Sequence, residues 1–340
     1  MISRALALVL TVVACTAVPT ERASEEAALA VEMADANPWT HLELQNDPRD
    51  FTFAIVSDLT GGYREDVFPA AVERLNLLRP EFVLSVGDLI EGYTEERVQL
   101  AREWNAFDGM LEPLLAPFFY VPGNHDYSNE VMAEVWRERL GRDYYHFVYQ
   151  NVLFLALNTE HVPVELPPGV AELLAQIQAL RDTDPERAAA LAAQLTAGID
   201  WEGDVQASFG EEQVAYFEDV IAAHPDVRWT LLFMHKPVWQ GAGSDDLRRM
   251  EAALGDRPFT VFAGHVHNYR RFEVGGRVHI RLGTTGGHWV VGGSEGNYDH
   301  VVLVTMTDDG PSIANLLLDG ILDEHGRIDP DAHQWRARAK

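Results

Sequence analysis

Short apolar runs that end in aspartate, asparagine or histidine recur along this chain, separated by helical patterns, and that alternation limits the folds open to it. Phe51 to Val56 leads into Asp58, and Glu81 to Val86 leads into Asp88. Phe118 to Val121 leads into Asn124, Trp229 to Met234 into His235, and Phe259 to Ala263 into His265. Runs of this length, rich in Val, Phe and Leu, fit strands buried on both faces. Between them lie helical patterns such as Val67 to Leu78, stopped before Pro80, and Glu95 to Leu111. The alternation predicts a layered α/β fold, in which ligand-binding residues gather at the carboxyl ends of strands. Beyond Tyr269 the pattern changes. Arg271 to Val274, Val278 to Leu282 and His300 to Thr307 carry β-formers around Gly275-Gly276 and predict antiparallel hairpins.

Residues 161–208 break the rhythm, lying between the strand Val152 to Leu157 and a helix that opens at Glu211. Val170, Leu173, Leu174, Ile177 and Leu180 share one helical face. Asp184-Pro185 then opens a second helix that ends near Gly198. Asp184 suits its N-cap, and Pro185 suits a first turn whose amide has no helical partner. The segment predicts an inserted helical hairpin that packs on the surface, with a lid or docking role as the alternative.

The amino terminus reads as a targeting segment. Met1 to Arg4 is a short positive start, and Ala5 to Ala14 is an apolar run too short to span a bilayer as a mature helix. Val12-Val13-Ala14-Cys15 places aliphatic and small residues before the chain's one cysteine, and it resembles a bacterial lipoprotein signal with Cys15 as the lipidated residue. The expected division is a signal peptide over 1–14, a flexible tether over 15–40, and a folded domain over 41–340 with its insertion at 161–208. Such a protein would be exported, periplasmic or at the cell surface, and would touch the membrane only through the lipid anchor. One cysteine makes no internal disulfide, so the fold must stand without one.

Hydrophobic content of 47% with 10% aromatics belongs to a folded protein rather than a disordered or fibrous one. Net charge is −27, from 26 basic and 53 acidic residues. So acidic a chain repels nucleic-acid phosphates and offers no basic stripe, so nucleic acid is not an expected partner.

The polar ends form a set: Asp58 in Ser57-Asp58-Leu59-Thr60, Asp88 after Gly87, Gly123-Asn124-His125-Asp126, His235 after Met234, and Gly264-His265-Val266-His267. His265 and His267 fall on one side of an extended chain. Carboxylates, imidazoles and an amide oxygen make a mixed nitrogen and oxygen donor set suited to Mn, Fe, Zn or Co. Two such ions about 3.5–4 Å apart can activate a water and neutralise a phosphoryl group.

In order and local signature, these stretches resemble the calcineurin-like metallophosphoesterase superfamily, from Phe51 to about Asp319. The resemblance implies a four-layer α/β/β/α sandwich and hydrolysis of a small phosphoester by a metal-bridging hydroxide in a dinuclear site. It places Asp58 and His267 on metal one, Asp88 as the bridge, and Asn124, His235 and His265 on metal two. His125 would hydrogen-bond the phosphate or protonate the leaving oxygen, and Asp126 would orient His125. The chain departs from the family at Thr60, where the first motif, Asp-x-His, usually has a ligating histidine. Purple acid phosphatases also lack it and use a tyrosine three residues past the bridging aspartate; that position here is Glu91. Metal one is therefore expected on Asp58, Asp88 and His267, completed by Glu91 or water, binding more weakly and favouring a harder ion. His288, after a strand in Thr284-Thr285-Gly286-Gly287-His288-Trp289, is a further candidate near the site. His41, His146, His224, His325 and His333 lack motif context and are expected at the surface. The alternative function is a non-catalytic or single-metal binding module on the cell surface.

Overall fold

Alternation along the strands decides which layer each side chain joins. The computed structural model describes residues 49–160, 169–180, 183–196, 207–241, 244–288 and 296–320. The signal at 1–14, Cys15, the tether at 15–40, His41, His325 and His333, and residues 161–168, 181–182 and 197–206 of the expected hairpin lie outside the described residues.

Among the described residues, eleven strands form two sheets. In the first, β1 (Phe51–Val56) and β2 (Val83–Ser85) run parallel beside β3 (Phe118–Phe119). β10 (His300–Thr307) joins antiparallel to β1, and β11 (Gly310–Leu317) closes that edge, giving the order β11-β10-β1-β2-β3. The second sheet contains β4 (Tyr145–Tyr149), β5 (Val152–Ala156), β6 (Trp229–Phe233), β7 (Phe259–Ala263), β8 (Arg270–Val274) and β9 (Arg277–Arg281). Its order is β4-β5-β6-β7-β9-β8, parallel from β5 through β7 to β9.

The two sheets face each other across a shared core. Phe53 and Ile55 of β1, Phe154 of β5, Phe233 of β6 and Val302 and Val304 of β10 point into it. Near-parallel rings run through this layer: Phe147 on Phe154 at 4.6 Å, Phe154 on Phe233 at 6.1 Å, and Phe233 on Phe262 at 5.4 Å between centroids. Such stacking adds to the area burial that dominates the layer's stability. The alternate residues face outward. Ala54 and Val56 meet α1 (Val67–Leu78), α2 (Arg97–Leu111) and α3 (Glu130–Leu140), which bury Phe68, Trp104, Phe107 and Trp136. Leu153, Leu155 and Leu232 meet α6 (Glu211–Ala223) and α7 (Ser244–Leu254) on the other side. The result is the α/β/β/α sandwich.

Between β5 and α6, α4 (Val170–Leu180) and α5 (Pro185–Thr196) pack against each other, with Ile177 and Ala188 buried. The Asp184 carboxylate accepts the Arg187 amide at 3.1 Å, the side-chain bond of an N-cap. No helix among the described residues is long and apolar enough to cross a membrane.

The region past Tyr269 is less uniform than its sequence suggests. β8 and β9 form the expected hairpin, but β9 also extends the parallel array beside β7. β10 and β11 cross to the other sheet. β4 and β11, both edge strands, carry no buried run to mark them. Of the histidines expected at the surface, His146 and His224 are half-buried and bonded, to the Tyr216 hydroxyl at 2.7 Å and the Val220 carbonyl at 2.8 Å.

Candidate dinuclear metal centre

The strands β1 and β2 are neighbours in one sheet, and β6 and β7 in the other, so their carboxyl ends bring Asp58 and Asp88 against His235, His265 and His267. Backbone bonds lace the loops together, from the Asp58 amide to the Gly87 carbonyl (3.2 Å), Thr60 to Asp88 (3.1 Å) and Gly264 to His235 (2.8 Å). The ligand-type residues themselves sit in left-handed backbone, with φ of 46° at Asp58, 60° at Asp88, 73° at His265 and 61° at His267. Each such residue costs about 1–2 kcal/mol, a strain that persists only where the surroundings over-determine it. The tight packing also restricts Gly123, where a Cβ would collide with the Asp88 carboxylate and amide.

Two clusters of donor atoms result, one from Asp88, His235 and His265 and the other from Asp58, Asp88 and His267. Within each, the ligand atoms lie within 4.8 Å of one another, and Asp88 belongs to both. In the first cluster, His235 donates from Nδ1 to the Val86 carbonyl at 2.8 Å, which leaves Nε2 as the nitrogen that faces the other donors. That Nε2 meets Asn124 Oδ1 at 2.8 Å, Asp88 Oδ2 at 3.2 Å and His265 Nδ1 at 3.2 Å. Lone pairs converging in this way repel one another unless a cation sits among them, and one proton can serve only one contact. Burial opposes a proton on His235, but the Asp88 carboxylate outweighs it and lifts the ring to about 10. Burial, helped by His235 and Lys236, pushes His265 well down, so its ring is neutral and free to ligate. Burial would raise Asp88, but the His235 and His125 rings hold it far below the usual carboxylate range. This donor set fits a divalent cation.

The second cluster leans on the loop at 283–288. His267 Nε2 lies 3.4 Å from Asp58 Oδ1, and its Nδ1 donates to the His288 carbonyl. Burial lowers its proton affinity, but Asp58 raises it more. The loop is docked by the Thr285 amide on Ser57 (2.6 Å) and the Gly287 amide on Asp58 (2.7 Å). Arg64 staples it from beneath, donating to the Gly287 carbonyl at 2.7 Å and to the buried Asp299 carboxylate at 2.9 Å. His300 accepts the Gly283 amide at 3.0 Å. The Thr60 hydroxyl, on a residue 1% exposed, has no hydrogen-bond partner. An orphaned buried oxygen where the family usually has a histidine is consistent with a ligand or water completing this side.

Several expected roles are corrected. Asp126 does not orient His125. Its carboxylate accepts four backbone amides, from Asp88 (2.8 Å), Gly123 (2.9 Å), Leu89 (2.8 Å) and Ile90 (3.1 Å). The turn from Gly123 to Asp126, closed at 3.0 Å, carries its side chain to the Asp88 loop. Burial, then Asp88, raise this carboxyl against the opposing pull of the amides, and the net places it at about 7. His125 is held instead by the Glu91 carbonyl at its Nδ1 (2.7 Å) and by Asp88 Oδ1 at its amide (2.9 Å). Glu91 belongs to neither donor cluster. Its carboxylate accepts the Tyr63 amide at 2.8 Å, shaping the loop that follows Thr60. His288 is exposed and reaches the site through its backbone carbonyl, a contact any residue could supply. Not foreseen were Tyr93 beside Asn124, the Arg64–Asp299 pair, and a buried Lys236–Glu160 pair at 2.6 Å next to His235. Only Lys236, adjacent to a candidate ligand, carried a local signal.

Facing sheets with a shared carboxylate between imidazole clusters define a metallophosphoesterase-type sandwich. The profile of the calcineurin-like phosphoesterase family matches residues 51–269, well over half the chain, and the chain belongs to that family. Metal-dependent hydrolysis of small phosphoesters is the general chemistry this membership carries. The fold is similar to that of a dimetal phosphatase from Danio rerio, with a TM-score of 0.53 and 16% identity over 80% of this chain and 100% of that one. It is also similar to purple acid phosphatase PPD1 from yellow lupin (Lupinus luteus), with a TM-score of 0.53 and 15% identity. That match covers 80% of this chain and 52% of the lupin chain. No curated protein matches the chain by sequence.

Proposed function

We propose that this protein hydrolyses a small phosphoester with two divalent cations held between its strand ends. The observation that carries this reading is Asp88, shared by two donor clusters. Asp58, Asp88 and His267 would hold one ion; Asp88, Asn124, His235 and His265 would hold the other. When bound, such ions activate a water as nucleophile and neutralise phosphoryl oxygens. His125 works beside them. With Nδ1 committed to the Glu91 carbonyl, its Nε2 is left to hydrogen-bond a phosphoryl oxygen or to deliver a proton to the leaving oxygen. Asp126 serves through the backbone, fixing residues 88–90 so that the Asp88 carboxylate is held between the sheets. The imidazole-rich side suits Zn, Fe, Mn or Co, and the side at Asp58 favours a harder ion. Export and lipidation at Cys15 are supported by the sequence of residues 1–15 alone.

Turnover of bis-p-nitrophenyl phosphate and p-nitrophenyl phosphate in Mn²⁺, Zn²⁺, Fe²⁺ or Co²⁺ tests the reading. Hydrolysis of at least one is expected, falling on the order of 10³-fold or more in Asp88→Asn. No turnover with any ion would favour a binding module built on the same fold.

A further inference from the structure

Tyr93 follows Asp88 by five residues and has no part in the chemistry above, yet three features bind it to the site. Its backbone is left-handed, with φ of 49° after 57° at Gly92. For a bulky aromatic residue that conformation is uncommon and strained, and it is found where the surroundings or a function demand it. Gly92 permits the turn, since a Cβ there would run into the carbonyl oxygen of His125. The Tyr93 ring stands edge-on to the His125 ring, with centroids 4.7 Å apart at 77°. Its hydroxyl accepts a hydrogen bond from Asn124 Nδ2 at 2.6 Å.

That last contact matters because a carboxamide has two unlike ends. The oxygen can ligate a cation and the NH₂ cannot, and a half-turn of the terminal torsion exchanges them. In the observed rotamer, Asn124 gives its NH₂ to Tyr93 and turns Oδ1 toward His235 Nε2 at 2.8 Å. We propose that Tyr93 is a positioning residue whose hydroxyl selects the Asn124 rotamer that offers oxygen to the cation shared with His235. The proposal rests on the metal-site reading above. It gives the strained Gly92-Tyr93 turn a purpose, which is to carry a phenol from the Asp88 loop back over the loop of Asn124 and His125.

The test is a double-mutant cycle read by calorimetric titration of the full chain with Mn²⁺. Tyr93→Phe keeps the ring on His125 and removes only the oxygen, so the ion bound by Asn124 and His235 is expected to bind about tenfold more weakly, with the other step unchanged. Asn124→Asp makes both ends of the side chain acceptors, and orientation then ceases to matter. In that background Tyr93→Phe is expected to change affinity by less than about twofold. An equal loss in both backgrounds would mean that Tyr93 merely supports the loop, and no loss in the wild-type background would also overturn the proposal. If no Mn²⁺ step in the wild type responds to His235→Ala, the metal-site reading itself fails, and this proposal with it.

Discussion

On the side of His235 and His265, four donors converge, and three of them have a support of their own: buried Val86 for His235, half-buried Tyr93 for Asn124, and the loop clamped by buried Asp126 for Asp88. On the side of Asp58 and His267 there are three donors, and His267 depends on a carbonyl of the exposed His288. His235 is fully buried, whereas the His267 side chain is 11% exposed. Where the family usually has a further imidazole, the second side has the unpartnered Thr60 hydroxyl. The contrast teaches that the two donor clusters differ in their supports as well as in the number of their donors. One half is set by strand ends, and the other by a loop that must itself be held.

The strongest way to break the comparison is to remove the group both halves share. Asp88→Asn is expected to abolish both steps of a Mn²⁺ titration, and retention of either at wild-type affinity would mean that Asp88 is not a common ligand. Next is the support of the weaker half. Arg64→Ala leaves the Asp299 carboxylate buried and uncompensated, a change expected to destabilise the fold by about 3–5 kcal/mol in urea denaturation. It should also weaken the Asp58 and His267 step while sparing the His235 step. Equal weakening of both would show that the loop does not belong to one half.

Acid should act on the same loop through His300. Burial pushes its ring from 6.5 down to about 4, so the folded state favours the neutral form. Its contribution is therefore complete above the unfolded value and is lost as pH falls from 6.5 through 4. The loss, roughly 3 kcal/mol, should appear in the difference between wild-type and His300→Gln stability curves over that window. A pH-independent difference would contradict it. The smallest expected effect sharpens the ligand contrast directly. Thr60→His restores an imidazole to the poorer side and should tighten that step about tenfold, near 1.4 kcal/mol. Unchanged affinity would show that the threonine position does not face the ion.

Much of this was legible in residues such as Phe53, Phe154, Leu232 and Val261. A strand buried on both faces is apolar at nearly every position, and a charged residue or histidine just past it stands out. That is why Asp58, Asp88, His235 and His265 could be singled out, and why edge strands β4 and β11 could not; Asn124 follows the short, half-buried edge strand β3 and stood out through Gly123-Asn124-His125-Asp126. Asp126 shows the other limit. Its place beside His125 in sequence suggested a partner, but its side chain bonds amides 36 to 38 residues away. Tyr93 and Arg64 were silent for the same reason: their partners are distant in the chain and have no local period.

By itself the sequence determined the layered alternation, the strand ends and the kinds of donor atom available, because burial and periodicity act over a few neighbouring residues. Tertiary structure alone decided that Asp88 serves both clusters, that Asn124 presents its oxygen, and that His267 hangs on a loop stapled by Arg64. Those outcomes depend on how two sheets close on each other and on left-handed turns at Asp58, Asp88, His265 and His267, which only the surrounding packing can hold.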